Sequence, residues 1–166
     1  MKTKIVTTML TAAAAMGAAD KATAQTGAFE YADEQFADIQ MLRYRVEGFE
    51  QLSLREKTFI YYLQEAALQG RDSLFDQNGR YNLRIRRMLE NVYTRYAGDR
   101  GSKDFLALTE YLKRVWFSSG IHHHYGSEKF VPGFSEEFFR DAVKSVDASK
   151  LPLLEGQTVD ELLAVI

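Results

Sequence analysis

Apolar residues recur every three or four positions in four stretches of this chain, which is the spacing that places side chains on one face of an α-helix. The stretches run over about residues 54–68, 82–96, 103–117 and 135–147. Residues 118–134 carry large side chains without this spacing. The pattern predicts four helices, packed antiparallel or obliquely over residues 53–147, with residues 118–134 as a long loop ordered against them.

Capping residues stand where the helical stretches begin. Ser53 and Thr158 are each followed by Glu three positions later, which is the signature of a capping box, and Ser102 and Ser135 precede the third and fourth stretches. Thr158 predicts a fifth helix, which has only reached Ile166 when the sequence ends and has about eight residues, too few to be stable alone. The expected fold class is therefore mainly α, with four to five helices and one long ordered loop, in a fragment truncated at its C-terminus.

The helical spacing also predicts which side chains face the core. Gly70 is predicted to end the first helix in the left-handed conformation, residues 76–79 to form a turn, and residues 40–46 to form a short extended segment. Phe134 and Phe139 are candidates for a hydrophobic staple at the fourth helix. The residues predicted to be buried are Phe59, Leu63, Ala66, Ala67, Ile85, Met88, Leu89, Val92, Tyr93, Tyr96, Phe105, Leu108, Leu112, Val115, Trp116, Ala142, Val143 and Val146.

Residues 1–24 are typical of a secretory signal peptide. Lys2 and Lys4 precede an alanine-rich apolar run at residues 5–19, and Ala22-Thr23-Ala24 offers a small-residue cleavage site. A frayed, alanine-rich N-terminal helix is the alternative, but the charged residues that close the apolar run favour the signal peptide. Residues 25–52 are then an N-terminal leader, and we expect the protein to be exported, either to the periplasm or as a secreted protein.

Composition and charge exclude several classes of function. The chain has no cysteine, which excludes disulfides, thiolate catalysis and cysteine-ligated zinc. Its formal net charge is −2, and no apolar run reaches the roughly 18 residues of a membrane span, so we expect neither a nucleic-acid nor a membrane partner. Arg84, Arg86 and Arg87 are interpreted as a solvated face, with Glu90 pairing with Arg86, rather than as a phosphate contact.

The three histidines of the chain are consecutive, at His122, His123 and His124. Metal ligands on a helix are normally three or four residues apart, and adjacent residues in an extended loop point to opposite sides, so at best His122 and His124 share a side. We expect a polar loop whose imidazoles hydrogen-bond the backbone, with no metal bound by this chain. A histidine-loop metal-binding protein remains the alternative.

No P-loop, GxGxxG, GxSxG or carboxylate pair indicates a catalytic centre, and three acids lack an identifiable partner, namely Asp72, Asp76 and Glu128.

Three segments of the chain resemble the N-terminal part of dipeptidyl-peptidase III, a family of zinc metallopeptidases, and its bacterial members above all. They are LSLREKTFIYYLQEAALQGRD at 52–72, DQNGRYNLRIRRMLENVY at 76–93 and YLKRVWFSSGIHHHYGSEKFVPGF at 111–134. The resemblance covers about residues 36–166. Its most specific run is Gly-x(4)-Tyr/Phe-Gly-x-x-Lys-Phe-Val-Pro, which here comprises Gly120, Tyr125, Gly126, Lys129, Phe130, Val131 and Pro132.

The resemblance implies an α+β parent enzyme with two lobes around a cleft, in which residues 53–166 are the helical N-terminal part of the lower, peptide-binding lobe. It implies removal of dipeptides from the N-termini of short peptides, with zinc held by His-Glu-x-x-Gly-His and a downstream Glu. That motif is absent here, so we expect zinc in the full-length parent, no catalytic residue in this chain, and no activity of the chain alone. The implied partners are short peptides and the remaining C-terminal part of the same enzyme.

The resemblance also implies that Tyr125 and Gly126 bind substrate, because the matching aromatic-glycine pair of the family borders the cleft. The tyrosine would stack on a substrate side chain or hydrogen-bond its backbone, and the glycine would allow close backbone approach. A self-contained exported helical module that binds peptides or proteins without catalysis is the alternative function. The reading frame beyond codon 166 distinguishes the two.

Overall fold

The computed structural model describes residues 29–166, so the predicted signal peptide at 1–24 lies outside the described residues. The described part is mainly helical, with a small two-stranded antiparallel sheet. Among residues 29–166, no helix combines the length and the apolar character that crossing a membrane requires. In chain order the elements are β1 (Ala32–Phe36), β2 (Ile39–Leu42), α1 (Leu54–Gln69), α2 (Arg71–Gln77), α3 (Asn82–Arg95), α4 (Lys103–Ser118), α5 (Glu136–Lys144) and α6 (Val159–Val165), with short 3-10 turns at Phe49–Gln51 and Ala148–Lys150.

The predicted caps begin four of these helices. Ser53 and Thr158 each form the full capping box with the glutamate three residues on. Ser102 and Ser135 each accept a hydrogen bond from the backbone N–H three residues later, at 3.3 and 3.2 Å. Each cap satisfies a backbone donor that the first turn of a helix leaves free, which explains why the predicted helix starts are correct.

The core lies between α3, α4, α5 and α6, with Phe75 of α2 at its edge. Phe134 and Phe139 form the predicted staple, with their ring centroids 5.2 Å apart. The helical stripes of α3, α4 and α5 supply most of the buried side chains, as predicted. The largest fully buried side chains are Met88, Leu89, Val92, Leu108, Leu112, Val115, Val143 and Leu162.

The prediction that Trp116 faces the core is wrong. The residue is 42% exposed, while its neighbour Val115 is fully buried. The indole N–H of Trp116 donates to Glu90 Oε1 at 2.8 Å, on the outer side of the α3–α4 contact. Trp116 lies at the border of the apolar stripe, where helical spacing alone does not decide on which side of the interface a side chain falls.

The predicted buried face of α1 is also wrong, because no residue of this helix is buried. Phe59 is 63% and Leu63 is 53% exposed, and Ala66 and Ala67 are exposed as well. Periodicity predicts that a helix has an apolar face, but burial of that face requires a second element that packs against it. Within residues 29–166, no element covers the predicted face of α1.

Gly70 does not end α1 in the left-handed conformation. Its φ and ψ are −80° and −5°, in the right-handed helical region, and α2 follows directly. Helix α2 extends to Gln77, so only the second half of the predicted turn at 76–79 lies outside a helix. The buried ring of Phe75 supplies the packing that stabilises this short helix.

The two strands form a hairpin in which Phe36 pairs with Ile39 and Ala32 with Leu42. Strand β2 overlaps the extended segment predicted at 40–46, whereas β1 was not predicted. The hairpin lies along α4, because Glu34 forms an ion pair with Lys113 and Asp38 Oδ1 is 2.9 Å from the Arg114 guanidinium. The hairpin is thus held beside the end of α4, where the histidine-containing loop begins.

Candidate functional site

Residues 119–135, called here the histidine loop, connect α4 to α5 and fold back on themselves. His122 and Lys129 form an isolated antiparallel bridge. The His123 N–H donates to the Glu128 carbonyl at 2.8 Å, and the Phe130 N–H donates to the Ile121 carbonyl at 2.8 Å. Backbone hydrogen bonds within the loop therefore hold it as a narrow hairpin with a tip at residues 124–127.

The start of the loop is anchored to the end of α2 and to the beginning of α3. Asn82 Oδ1 accepts the Ile121 N–H at 3.3 Å, and Asn78 Nδ2 donates to the Ser119 carbonyl at 3.3 Å. Gly120 lies so close to Asn82 that a Cβ at Gly120 would be 2.3 Å from Asn82 Nδ2. Only glycine fits this approach, which gives Gly120, the first residue of the Gly-x(4)-Tyr-Gly run, a packing role.

The far side of the loop is anchored by aromatic and polar contacts to α4. The Arg114 guanidinium lies 5.2 Å from the centre of the Phe130 ring, and the Tyr111 and Phe134 rings meet edge to face at 5.7 Å. Burial raises the pKa of the Tyr111 phenol. Asp104 Oδ1 accepts the Ser135 N–H at 2.8 Å. Both ends of the loop are therefore fixed to the helices.

The tip of the loop presents Tyr125 and Gly126 to solvent. Tyr125 is 89% exposed, and its ring centroid lies 4.2 Å from that of His124. Gly126 is also exposed, and a Cβ at this position would meet no atom within 4 Å. The two residues predicted to bind substrate, which are adjacent in the sequence, therefore lie on a surface that another molecule can reach.

The histidines are arranged differently from the prediction that His122 and His124 share a side. His123 and His124 stack instead, with ring centroids 4.4 Å apart and an interplanar angle of 23°. The Tyr125 N–H donates to His123 Nδ1 at 3.2 Å, so a neutral His123 carries its proton on Nε2. The backbone forms a tight turn at 123–126 instead of the extended conformation assumed in the prediction. This turn brings the two rings together. In the part of the chain that the structure describes, no three His, Asp or Glu side chains are grouped to hold a metal ion.

The arginines of α3 contact other parts of the chain. Arg86 forms the predicted ion pair with Glu90, at 3.2 Å, but it is largely buried and also contacts Asp72. Asp72, for which the sequence offered no partner, binds both Arg87 and Arg86, and their hydrogen bonds hold the pKa of its carboxyl below the usual range. Arg84 donates to the Pro152 carbonyl. The prediction of a solvated basic face is therefore wrong for Arg86 and Arg84.

A groove of about 810 Å³ lies next to the histidine loop, between the hairpin, α2 and α4. Aromatic side chains of Phe36, Phe75, Trp116 and Phe117 line it, together with charged groups that include Arg71 and Lys113. The groove is not predictable from the sequence, because the helical spacing places Trp116 in the core and no sequence signal links Phe36 to α4.

No protein-family model matches this chain, and no curated protein matches it.

Proposed function

We propose that the chain is the N-terminal portion of an exported zinc dipeptidyl-peptidase of the dipeptidyl-peptidase III type, and that the histidine loop forms part of its peptide-binding surface. The observation that carries the proposal is the exposure of Tyr125 on a loop that is held by its own backbone hydrogen bonds. An aromatic ring displayed on a fixed loop can bury apolar surface against a ligand with little loss of conformational freedom.

Gly126 supports the same role. No atom of the chain lies within 4 Å of the position that a Cβ would take at Gly126, so an extended peptide could approach its backbone closely. The adjacent groove adds aromatic surface for apolar side chains of the peptide and charged groups for its polar ones.

The uncovered face of α1 supports the proposed partner, the C-terminal remainder of the same enzyme. Residues 59–63 are all large, apolar and exposed, so the exposed apolar surface extends around the helix, and such surface usually indicates a contact with another segment or protein. The large exposed apolar side chains of this helix are Leu54, Phe59, Ile60, Tyr61, Tyr62, Leu63 and Leu68.

In this proposal, zinc is bound by the C-terminal remainder of the enzyme and not by this chain. The His-Glu-x-x-Gly-His motif that would hold it is not in this sequence, and the consecutive histidines do not match that motif. Bound zinc would polarise the scissile carbonyl and activate water. The residues of this chain would instead bind and orient the peptide.

The test is kinetic and uses the full-length parent. Burying roughly 60 Å² of ring surface stabilises a complex by about 1.5 kcal/mol, so Tyr125→Ala should raise KM about tenfold with little change in kcat. Tyr44→Ala is the matched control, since it removes another largely exposed tyrosine, at 74% against 89% for Tyr125, that is not part of the histidine loop. Unchanged kinetics for Tyr125→Ala would refute the role of the loop.

The 166-residue chain by itself should not hydrolyse a dipeptidyl-naphthylamide substrate, with or without added zinc. An open frame beyond codon 166 that reaches His-Glu-x-x-Gly-His would support the assignment. Zinc-dependent turnover by the rigorously purified chain would overturn it.

A self-contained binding module is the second candidate, and the uncovered face of α1 favours it equally if that face meets a separate protein. A stop codon directly after codon 166, together with a stably folded chain, would favour the module over the peptidase.

A further inference from the structure

The turn between α2 and α3 contains Asn78 and Gly79, which form the one Asn-Gly pair in the sequence. Asparagine is a thermolabile residue, because the backbone nitrogen that follows it can attack its side-chain amide. A glycine at the following position favours this attack, since it has no side chain to shield its nitrogen and its backbone is conformationally free. The turn has no part in either proposed function.

The structure leaves the attacking nitrogen without a partner. Asn78 is exposed and follows the last residue of α2, at a helix end that frays more readily than a helix interior. Within residues 29–166, the Gly79 N–H donates to no backbone carbonyl. The φ and ψ of Asn78 are −77° and −3°, so ψ must rotate before the Gly79 nitrogen reaches Asn78 Cγ. Because the Gly79 N–H is not engaged, this rotation breaks no hydrogen bond of the nitrogen that reacts.

The other two asparagines of the chain lie in α3, where the same attack is disfavoured. Asn82 is 2% exposed and precedes a leucine. Asn91 is partly exposed and donates from its side chain to a backbone carbonyl, as Asn78 does. It precedes the β-branched Val92, whose backbone is fixed inside the helix. Asn91 is therefore a matched internal control for Asn78.

We propose that Asn78 deamidates spontaneously through a succinimide with Gly79, and that the product releases one of the two polar anchors of the histidine loop. The Gly79 nitrogen bonds to Asn78 Cγ, and Nδ2 leaves as ammonia with the proton that the Gly79 N–H gives up. Water then opens the five-membered ring, adding its hydroxyl to a carbonyl carbon and its proton to the nitrogen. Opening at Cγ gives aspartate, whereas opening at the main-chain carbonyl gives isoaspartate.

The consequence of the reaction lies at the start of the histidine loop. Asn78 Nδ2 donates to the Ser119 carbonyl at 3.3 Å, and an ionised carboxylate in place of the amide has no proton to donate. The new negative charge also lies at the C-terminal end of α2, where the helix dipole disfavours anions. Ser119 has a φ of 53°, a left-handed conformation that residues other than glycine adopt only with support. Deamidation therefore loosens the loop at Ser119, while the hydrogen bond between Asn82 and the Ile121 N–H remains. This proposal does not depend on the peptidase assignment.

The test is incubation of the purified 166-residue chain at mildly alkaline pH, followed over days by tryptic digestion and mass spectrometry. Residues 72–80 form one tryptic peptide, and Asn91 falls in another. The peptide with Asn78 should gain the mass that separates an acid from an amide, and the peptide with Asn91 should not. An isoaspartyl methyltransferase should label the aged 72–80 peptide, because isoaspartate forms only through the ring. A sample digested at time zero corrects for reaction during the digestion.

Two variants separate the reaction from its consequence. Asn78→Gln keeps an amide donor but would have to close a larger ring, so its 72–80 peptide should remain unmodified. Asn78→Asp mimics the product, and nuclear magnetic resonance of the ¹⁵N-labelled variant should show shifted backbone amides at Ser119 and Gly120. The aged wild-type chain should show the same shifts. Asn91→Asp, the same change of charge on α3, should leave these two amides unchanged.

Three results would overturn the proposal. The first is a 72–80 peptide that gains mass no faster than the peptide with Asn91. The second is a gain of mass at Asn78 without isoaspartate, which would mean that water hydrolyses the side chain directly. The third is a spectrum of Asn78→Asp in which the Ser119 and Gly120 amides keep their wild-type positions, since the product would then not affect the loop.

Discussion

Phe105 and Trp116 lie on the same apolar stripe of α4, but the structure assigns them different energetic roles. Phe105 is 3% exposed and stacks between two tyrosine rings, at centroid distances of 6.1 Å to Tyr93 and 5.3 Å to Tyr96. The Arg100 guanidinium lies 4.6 Å from the centre of its ring. Trp116 has one edge contact with Tyr93 and one hydrogen bond, to a partly exposed glutamate.

Truncation to alanine should separate the two residues clearly. Phe105→Ala removes a fully packed ring and should destabilise the fold by about 3–5 kcal/mol, toward the upper end because the stacked neighbours also lose their partner. Trp116→Ala removes a side chain that is already about half in water, so we expect a loss of about 1–2 kcal/mol, including its single hydrogen bond.

Urea unfolding followed by circular dichroism measures both variants against the wild type. With a slope of about 2 kcal/mol per molar urea, Phe105→Ala should lower the midpoint by about 2 M and Trp116→Ala by under 1 M. Equal shifts for the two variants would refute the assignment of Trp116 to the rim of the core. An unchanged midpoint for Phe105→Ala would refute the packing of α4 itself.

Three further substitutions test single contacts. Asp72→Asn should lower the free energy of unfolding by under about 1 kcal/mol at neutral pH, because the carboxylate is partly exposed. Since the pKa of Asp72 is lowered in the folded state, this difference in stability should be present above about pH 4 and vanish as the pH falls through the lowered pKa. Thermal unfolding measured across the acid range checks this. Gly120→Ala should cost about 1–3 kcal/mol by pushing the new methyl group into Asn82, measured as a lower thermal midpoint. Ser102→Ala removes the acceptor for the Phe105 N–H and should cost about 1 kcal/mol in urea unfolding.

The parts of the fold that were predictable are those whose cause is local. A capping serine and the first turn that it caps are neighbours in sequence, so Ser102 and Ser135 indicated helix starts correctly. The stripe of α4 was equally clear at its centre, where Leu108 and Leu112 are fully buried. Trp116 lies at the edge of the stripe. There the direction in which a side chain points relative to the core decides whether it is buried, and that direction depends on how α3 packs against α4.

The parts that were not predictable depend on distant partners. Helix α1 has an apolar face in its sequence, but whether anything covers it cannot be read from that helix. Asp72 meets Arg86 and Arg87 only because α2 follows α1 without a break, and Gly70 suggested an end to the helix there.

The candidate site divides in the same way. The position and composition of the loop predicted a functional segment ordered against the helices, and the family resemblance singled out Tyr125 and Gly126 within it. The contact between Gly120 and Asn82 joins residues 38 positions apart, and together with the hydrogen bond from the Ile121 N–H to Asn82 it anchors the start of the loop. No local pattern reports such a contact, so the anchoring role of Asn82 could be found only in the structure.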